Sequence, residues 1–291
     1  DAPIIMKYVN IVRAFLTAGN GRKVIDADYE SLEPHCFASV TGDKKLQEIF
    51  DNGYDFYSYV AIQTENLKGV SADKKADNYL KKLDPVKRNK AKAYSLGVAY
   101  GMEAYALKMT LGVDQKTAEG LIKGYLDGFP QLKEWRENSR KQVKDYGYIK
   151  NYVGRIRHIP KVKRIYEKFG ERILDWRFRN QLSEQYGKDQ VLKVYRDYRN
   201  GLNNCLNFQL QSLAASVVNR AALQINRKAK ELGIDAIVQA QVHDQLIINI
   251  KEDQAKTFAP YVQSIMENTT KLPGVTLKAP PEIADNWKEG H

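Results

Sequence analysis

The alternation of hydrophobic and polar positions predicts strands near both ends of the chain. In residues 21–29 (GRKVIDADY), the apolar Val24 and Ile25 precede a stretch that ends in acids. An apolar run that ends in charged residues is typical of a buried strand. We therefore predict a strand here, with Asp26 and Asp28 at its polar end.

A second strand-like segment, residues 236–250 (AIVQAQVHDQLIINI), lies near the other end. Val238, Ala240 and Val242 fall on one face by the period of two that strands follow. Apolar residues resume after His243-Asp244. The pattern therefore predicts a β-hairpin whose turn lies at these two residues.

Between these segments the pattern is mainly helical. Asp84 can cap a helix and Pro85 suits its first turn, so a helix is predicted from here to about Gly101. Asp43 is a similar start signal for a shorter helix. Residues 64–84 are polar and weakly periodic, and we expect a surface insertion there. Further helices are predicted over 102–111, 114–127 and 131–145.

The last long helix is predicted to follow Asn200-Gly201, because this pair is typical of a turn. Its apolar positions are Leu206, Leu210, Leu213, Val217 and Val218.

Charge adds information that the hydrophobic pattern lacks. The 291 residues hold 46 Lys and Arg against 35 Asp and Glu, a net charge of +11. Such an excess favours a polyanionic partner, nucleic acid first. Residues 155–199 hold thirteen basic and six acidic residues, which is +7 of the +11. This stretch is either a solvated helical face or a surface that contacts phosphates.

Composition excludes several classes of protein. Cys36 and Cys205 are the two cysteines, too few for a disulfide scaffold or a cysteine zinc cluster. No apolar stretch approaches the roughly 18–20 residues that a membrane span needs. We therefore expect a globular protein without a membrane partner, in the cytoplasm, or in the host cytoplasm if the chain is viral.

Asp28 and Asp244 each stand at the polar end of an apolar strand, and two strands of one sheet could bring them together. Adjacent carboxylates repel each other unless a cation neutralises them, so such a pair indicates a raised pKa or a divalent metal. With a polyanionic partner, Mg²⁺ is favoured. The alternative is that each aspartate is an ordinary cap or turn residue.

The helix that begins at Pro85 carries a second candidate site. Arg88, Lys92, Leu96 and Tyr100 recur every four residues and so share one helical face. The two cations suit phosphate oxygens and the ring suits a base. An ordinary basic surface helix has the same spacing.

These residues resemble the motifs of the family A (Pol I-like) DNA polymerases, particularly the bacteriophage members. Asp28-Tyr29-Glu30-Ser31-Leu32-Glu33 is similar to motif A (D-Y-S-Q-I-E), the helix from Arg88 to Gly101 to motif B, and Val242-His243-Asp244-Gln245 to motif C (V-H-D-E). Further matches, in chain order, are Gly42-Asp43 with Gly53-x-Asp55, Tyr125 to Pro130, Gly154-Arg155-Ile156-Arg157-His158-Ile159-Pro160, Asn207-x-x-x-Gln211 and the ending Trp287-Lys288-Glu289-Gly290-His291. These motifs occur in the family order and cover almost the whole chain.

The resemblance implies a template-directed DNA polymerase core that adds dNTPs to a primer 3′-hydroxyl. Asp28, Asp244 and the backbone carbonyl of Tyr29 would bind two Mg²⁺ ions, the clamp expected for phosphoryl transfer. Lys92 would donate a proton to the pyrophosphate and, with Arg88, bind the incoming triphosphate.

The other implied roles concern the nucleotide and the primer-template DNA. Leu96 and Tyr100 would also contact the dNTP, and Glu33 would exclude ribonucleotides beside the sugar. The implied DNA-binding residues are Asn207, Gln211, His243 and Arg155, of which the first three would face the minor groove.

Some positions depart from the family pattern. Leu96 stands where the family usually has Phe or Tyr, so a stacking ring is lost. Gln245 replaces the glutamate of motif C, which removes a third carboxylate near the metals. Ser31 and His35 also differ from the usual Gln and Arg. Asp26 lies two residues before Asp28, and we interpret it as a neighbour and not a ligand.

The implied fold is α+β, an antiparallel palm sheet with a large helical fingers insertion and no thumb. We expect palm at 1–42 and 201–291 and fingers at 43–200, with the motif B helix at 85–101. A thumb would come from missing sequence or from a thumb- or exonuclease-bearing partner chain. Residues 161–200 have no assigned role.

Two other functions remain open. A single-subunit RNA polymerase has similar palm and fingers patterns, but Glu33 argues against it. A non-catalytic DNA-binding relative would keep the fold and the basic surface, but the intact Asp28, Asp244, Arg88 and Lys92 argue against that.

Overall fold

The computed structural model describes residues 13–290. Its strands are β1 (Arg22–Asp28), β2 (Tyr148–Lys150), β3 (Ile156–His158), β4 (Ala236–Val242), β5 (Gln245–Lys251) and β6 (Pro281–Ala284). Its helices are α1 (Leu32–Thr41), α2 (Lys44–Asp51), α3 (Phe56–Glu65), α4 (Leu80–Leu83), α5 (Pro85–Ala99), α6 (Ala104–Leu111), α7 (Gln115–Gly128), α8 (Pro130–Tyr146), α9 (Pro160–Phe169), α10 (Trp176–Tyr186), α11 (Lys188–Leu232) and α12 (Glu252–Asn268), with a 3₁₀ turn at Gly170–Leu174.

The described residues form two compact units. The sheet unit consists of residues 13–36 and 213–290, and the helical unit of residues 37–212. The predicted palm and fingers boundaries at 42/43 and 200/201 stay predictions.

The sheet unit is built on a four-stranded antiparallel sheet with the order β4-β5-β1-β6. β1 is central, and its residues Val24 to Ala27 are buried. Both strand predictions and the turn at His243-Asp244 are confirmed, except that Asp26, predicted at the polar end of β1, is buried within the strand. The fold class predicted from the sequence, an antiparallel sheet combined with many helices, is confirmed as well.

Helix α12 covers this sheet because its apolar residues recur at helical spacing. Ala255, Phe258, Val262 and Met266 are buried along one face. The Tyr29 hydroxyl, just after β1, donates a hydrogen bond to the Met266 carbonyl at 2.7 Å. The end of β1 is therefore anchored to the helix.

Two helices of the helical unit begin at the caps that the sequence predicts. The side chain of Asp43 caps α2 by accepting from the Leu46 N–H at 3.1 Å, and Asp84 caps α5 by accepting from the Lys87 N–H at 3.0 Å. The predicted helices at 102–111, 114–127 and 131–145 are confirmed to within a few residues at each end.

Helix α11 corrects one prediction. It begins at Lys188 and runs through Asn200-Gly201, where the sequence predicted a turn. Gly201 is a packing residue, because a Cβ there would collide with the side chain of Val162 on α9. A glycine inside a helix costs about 1 kcal/mol relative to alanine, and the close helix contact offsets this. The hairpin of β2 and β3 was not predicted.

None of the helices within residues 13–290 is long and apolar enough to cross a bilayer.

Candidate active site

Asp28 and Asp244 lie on neighbouring strands of the sheet unit. Asp28 ends β1 and pairs in register with Gln245, the first residue of β5. Asp244 is in the turn just before it, and its carbonyl accepts a hydrogen bond from the Tyr29 N–H at 3.4 Å. Two aspartates more than two hundred residues apart in sequence thus meet at one end of the sheet.

The Asp28 carboxylate is only partly compensated within the fold. Burial, and then the charge of Asp244, raise the pKa of Asp28 to about 6, against opposing effects of the Tyr29 N–H and Arg13. Its Oδ1 atom is buried and accepts no hydrogen bond from the described residues. An orphaned carboxylate oxygen beside a second carboxylate fits a cation.

The donor set suits a hard divalent cation that retains other ligands. Within residues 13–290, no three His, Cys, Asp or Glu side chains are placed to hold a metal ion. Two carboxylates are nevertheless what Mg²⁺ commonly takes from a protein when substrate phosphates and water complete its shell. Asp28 and Asp244 therefore fit such an ion.

Asp26 lies two residues before Asp28 on β1 and is 3 % exposed. Its carboxylate is hydrogen-bonded to Gln245, the glutamine of motif C. The Gln245 amide donates to both carboxylate oxygens of Asp26, at 2.7 and 2.8 Å. The Trp287 indole N–H in turn donates to the side-chain amide oxygen (Oε1) of Gln245 at 3.0 Å. Burial raises the pKa of Asp26 to about 6 despite the amide.

Sequence reasoning missed this arrangement, although both departures were visible. The sequence has an additional acid at position 26 and lacks the usual acid at position 245. The two positions are diagonal neighbours on adjacent strands, and their side chains are in contact. The C-terminal segment closes over the pair, because a Cβ on Gly290 would lie 2.8 Å from the Asp26 Cβ. One buried carboxylate thus remains near Asp28, contributed by β1 and not by motif C.

The other predicted residues of the sheet unit lie near these strands in sequence. His243 is exposed in the hairpin turn, with a positive φ of 55°. Glu33 lies in the first turn of α1 and is half-buried. The His35 Nδ1–H donates to the Ser31 carbonyl at 2.9 Å, so His35 has a local structural contact.

Helix α5 of the helical unit carries the predicted nucleotide-binding residues, and its arginine is already paired. Arg88 donates from Nε and Nη2 to the two carboxylate oxygens of Asp55, at 2.6 and 2.9 Å. Burial raises the pKa of Asp55, but hydrogen bonds from Arg88 and Ser58 outweigh this and hold its pKa below the ordinary value. The sequence identified Asp55 only as part of a motif, and its ion pair with Arg88 was not predicted.

Lys92 lies one turn further along α5. It is exposed, and it forms no ion pair with the described residues. Its ammonium lies 5.8 Å from the centroid of the Tyr57 ring, and the Arg88 guanidinium lies 5.3 Å from the same ring. Leu96 and Tyr100 follow at the C-terminal end of the helix, each half-buried.

The predicted DNA-binding residues of the helical unit lie on α11 and in the loop before β3. Asn207 and Gln211 are one turn apart on α11, and the buried Asn207 Oδ1 accepts no hydrogen bond from the described residues. Arg155 is exposed, and its backbone N–H donates to the Asn151 side chain at 2.8 Å.

Comparison with known proteins agrees with this architecture. A model of DNA polymerase family A matches residues 2–289. The chain is 27 % identical over 278 residues to the thermostable DNA polymerase I of Thermus filiformis, and 25 % identical over 286 residues to DNA polymerase I of Rhizobium leguminosarum. These matches cover 96 % of this chain but only 28 % and 24 % of the two relatives, so the chain spans about a quarter of their length.

A solved structure shows the same fold. It is the polymerase domain of Pol1 from M. smegmatis, in complex with a DNA primer-template and dNTP. The TM-score is 0.76 at 24 % identity, over 97 % of this chain and 43 % of that one. Because the family model matches nearly every residue, the chain belongs to DNA polymerase family A.

Proposed function

We propose that this chain is the core of a template-directed DNA polymerase, which adds dNTPs to a primer 3′-hydroxyl by nucleotidyl transfer. The observation that carries the proposal is the meeting of Asp28 and Asp244, where the charge of Arg13 and the Tyr29 N–H do not outweigh burial and the repulsion between the two carboxylates. Membership of the family and the fold of a polymerase domain support the same conclusion.

Asp28 and Asp244 would hold divalent ions, two Mg²⁺ in our proposal, with the Tyr29 carbonyl as a further ligand. When bound, two such ions supply activation of the attacking hydroxyl and stabilisation of the leaving pyrophosphate. The carboxylates are rigidly placed, because β1 and β5 pair over seven residues and Tyr29 is anchored to α12. Placement of this kind is what in-line displacement requires.

The cations of α5 would bind the triphosphate. Lys92 is free to contact phosphate oxygens and to donate a proton to the leaving pyrophosphate. Arg88 uses two of its five N–H groups on Asp55 and also interacts with the side chain of Tyr79, and the N–H groups that remain would contact phosphate oxygens. Asp55 then serves to orient the guanidinium.

The remaining residues would select the sugar and contact the DNA. Glu33 would exclude the ribose 2′-hydroxyl, and Leu96 and Tyr100 would contact the nucleotide. Asn207, Gln211, His243 and Arg155 would contact the primer-template. The unsatisfied Oδ1 of Asn207 supports this, since a buried amide oxygen without a partner suits a ligand donor.

Finer points of the proposal rest on the sequence resemblance. The following points stay predictions: the palm at 1–42 and 201–291, the fingers at 43–200, the bacteriophage type, the cytoplasmic location, and a thumb supplied by other sequence or by a partner chain. The relatives reported above are bacterial enzymes.

Primer extension with dNTPs, and separately with rNTPs, tests the proposal. We expect extension with dNTPs that Asp244→Ala reduces at least about a thousandfold. Asp253→Ala, on the exposed first turn of α12, is the matched control and should extend normally. Extension with rNTPs would indicate an RNA polymerase, and DNA binding without any extension would indicate a non-catalytic relative.

A further inference from the structure

Residues 155–199, here named the basic insertion, form β3, α9, the 3₁₀ turn, α10 and the first turns of α11. They carry +7 of the net charge of +11. Helix α10 has no buried residue. The basic insertion therefore presents a strongly charged surface that the proposed function does not use, apart from Arg155.

Several cations of the basic insertion are not neutralised by the fold. Lys161 pairs with Asp197 at 3.0 Å and Lys163 with Glu167 at 3.7 Å. In contrast, Arg164, Lys168, Arg172 and Arg177 form no ion pair with the described residues. All four are exposed. Cations in this state attract a polyanion.

Aromatic rings are interleaved with these cations. Arg177 lies 5.6 Å from the ring of Trp176, and Arg172 lies 4.7 Å from the ring of Phe178. Lys168 lies 5.5 Å from the ring of Tyr186. Trp176 is 60 % exposed and Tyr186 43 %. Exposed rings beside a cationic track are the features by which proteins bind single-stranded nucleic acid.

A cavity of about 420 Å³ opens among these side chains. Its floor is apolar and includes the buried Ile173 and Val191. The rings of Phe169 and Tyr186 line it, and Arg164 and Lys168 are among its cationic residues. An apolar, ring-lined cavity beside cations suits an unstacked base whose phosphates stay in solvent.

We infer that the basic insertion is a binding site for single-stranded DNA. A base enters the cavity between Phe169 and Tyr186, Arg164 and Lys168 contact the adjacent phosphates, and a neighbouring base stacks on Trp176. An acidic amphipathic peptide would also match the charge, but exposed rings paired with cations favour nucleobases over aliphatic anchors. The site goes beyond the proposed function, because binding here needs neither Asp28 nor Asp244.

Trp176 provides a local fluorescent reporter. The other tryptophans are Trp135, which is half-buried, and Trp287, which is buried. We expect oligo-dT of about 20 nucleotides, longer than most single-strand binding sites, to quench the fluorescence without divalent ions or dNTPs. Trp176→Phe should remove most of that quenching. Unchanged Trp176 emission at saturating oligo-dT would overturn the inference.

Charge reversal separates this site from other DNA-binding surfaces of the chain. Arg164→Glu/Lys168→Glu should weaken oligo-dT binding about tenfold or more, measured by anisotropy of a labelled oligonucleotide. It should also lower the slope of log K against log salt by about 1.4, since each phosphate contact contributes about 0.7. The control Lys116→Glu/Lys133→Glu changes the charge equally, at exposed positions on α7 and α8.

Two outcomes contradict the inference. Equal oligo-dT binding by the two charge variants would show that the basic insertion does not bind DNA. Quenching of Trp176 by poly-glutamate but not by oligo-dT would assign the surface to an acidic protein. Asp244→Ala should keep the quenching even though it strongly reduces extension, so failure of this inference and failure of the proposed polymerase function are distinguishable.

Discussion

Asp28 in the sheet unit and Asp55 in the helical unit are both at least half-buried, but their surroundings shift their pKa values in opposite directions. Burial, and then the charge of Asp244, raise the pKa of Asp28 to about 6. Asp55 accepts from Arg88 and Ser58, and its pKa is lowered. A carboxylate that the fold satisfies stabilises the fold. A carboxylate that lacks enough partners in the fold destabilises the cation-free protein and retains the capacity to bind a cation.

The largest effect on stability is expected when the satisfied carboxylate is removed. Asp55→Ala should lower the free energy of unfolding by about 3 kcal/mol, because it leaves Arg88 without its partner and α3 without its cap. Asp114→Ala on α7 removes a cap without an ion pair, and should cost only about 1 kcal/mol. Denaturant unfolding of both variants measures the difference. Equal losses would show that the ion pair contributes nothing.

A smaller effect is expected at the buried contact beside Asp28. Gln245→Glu restores the family residue but places a carboxylate against Asp26, and should cost about 2 kcal/mol. Asp26→Asn/Gln245→Glu should recover most of this, because the new amide can donate to the new carboxylate. A double-mutant cycle by thermal unfolding measures the coupling. Additive losses would show that residues 26 and 245 are not coupled. They would contradict the inference that Asp26 supplies the buried carboxylate that position 245 lacks.

Neutralising the unsatisfied carboxylate should have the opposite sign to Asp55→Ala. Without divalent ions, Asp28→Asn should raise the free energy of unfolding by about 1 kcal/mol at pH 7, since solvent partly screens this half-buried group. Asp253→Asn, on the exposed surface of α12, is the control and should change little.

The gain from Asp28→Asn should depend on pH. A raised native pKa means that the native state binds the proton more tightly than the unfolded chain, whose pKa is about 3.9. The stability contributed by Asp28 therefore falls as pH rises from about 4 to about 6, and stays low above that range. The gain should be full at pH 7 and vanish near pH 4. A gain that is constant with pH would contradict the raised pKa of Asp28, which burial and then the charge of Asp244 cause.

The smallest effect is expected on α5, where Leu96 replaces the Phe or Tyr that is usual in the family. Leu96→Phe should raise kcat/KM for dNTP incorporation several-fold, because a ring can stack on the nucleotide. Leu96→Met keeps the volume without a ring and should leave the rate near that of the native chain. Unchanged rate and unchanged discrimination in Leu96→Phe would count against a role in stacking.

Local signals made much of the fold predictable. The caps Asp43 and Asp84 act within three residues of themselves, and the hairpin turn at His243-Asp244 lies between two adjacent apolar runs. Such contacts depend on short stretches of sequence. Gly201 misled the prediction, since its partner Val162 lies 39 positions away and glycine is also typical of turns.

The site was predictable in part. Motif order identified Asp28, Asp244 and the face of α5, which the structure places at the end of β1, in the hairpin turn and on one helix. The partners Asp26 with Gln245, and Arg88 with Asp55, were not predicted. Each pair joins side chains from different elements, and spacing along one element carries no information about the facing one.

The sequence alone determined the strands β1, β4 and β5, several helices with their caps, and the positive charge of the basic insertion, because these depend on neighbours in the chain. Tertiary structure alone decided which charges are satisfied. Arg88 is neutralised by a carboxylate 33 residues away, whereas at Asp28 burial and the charge of Asp244 outweigh the attraction of Arg13. The energy of a charge depends on burial and on the nearest groups in space, and folding sets both.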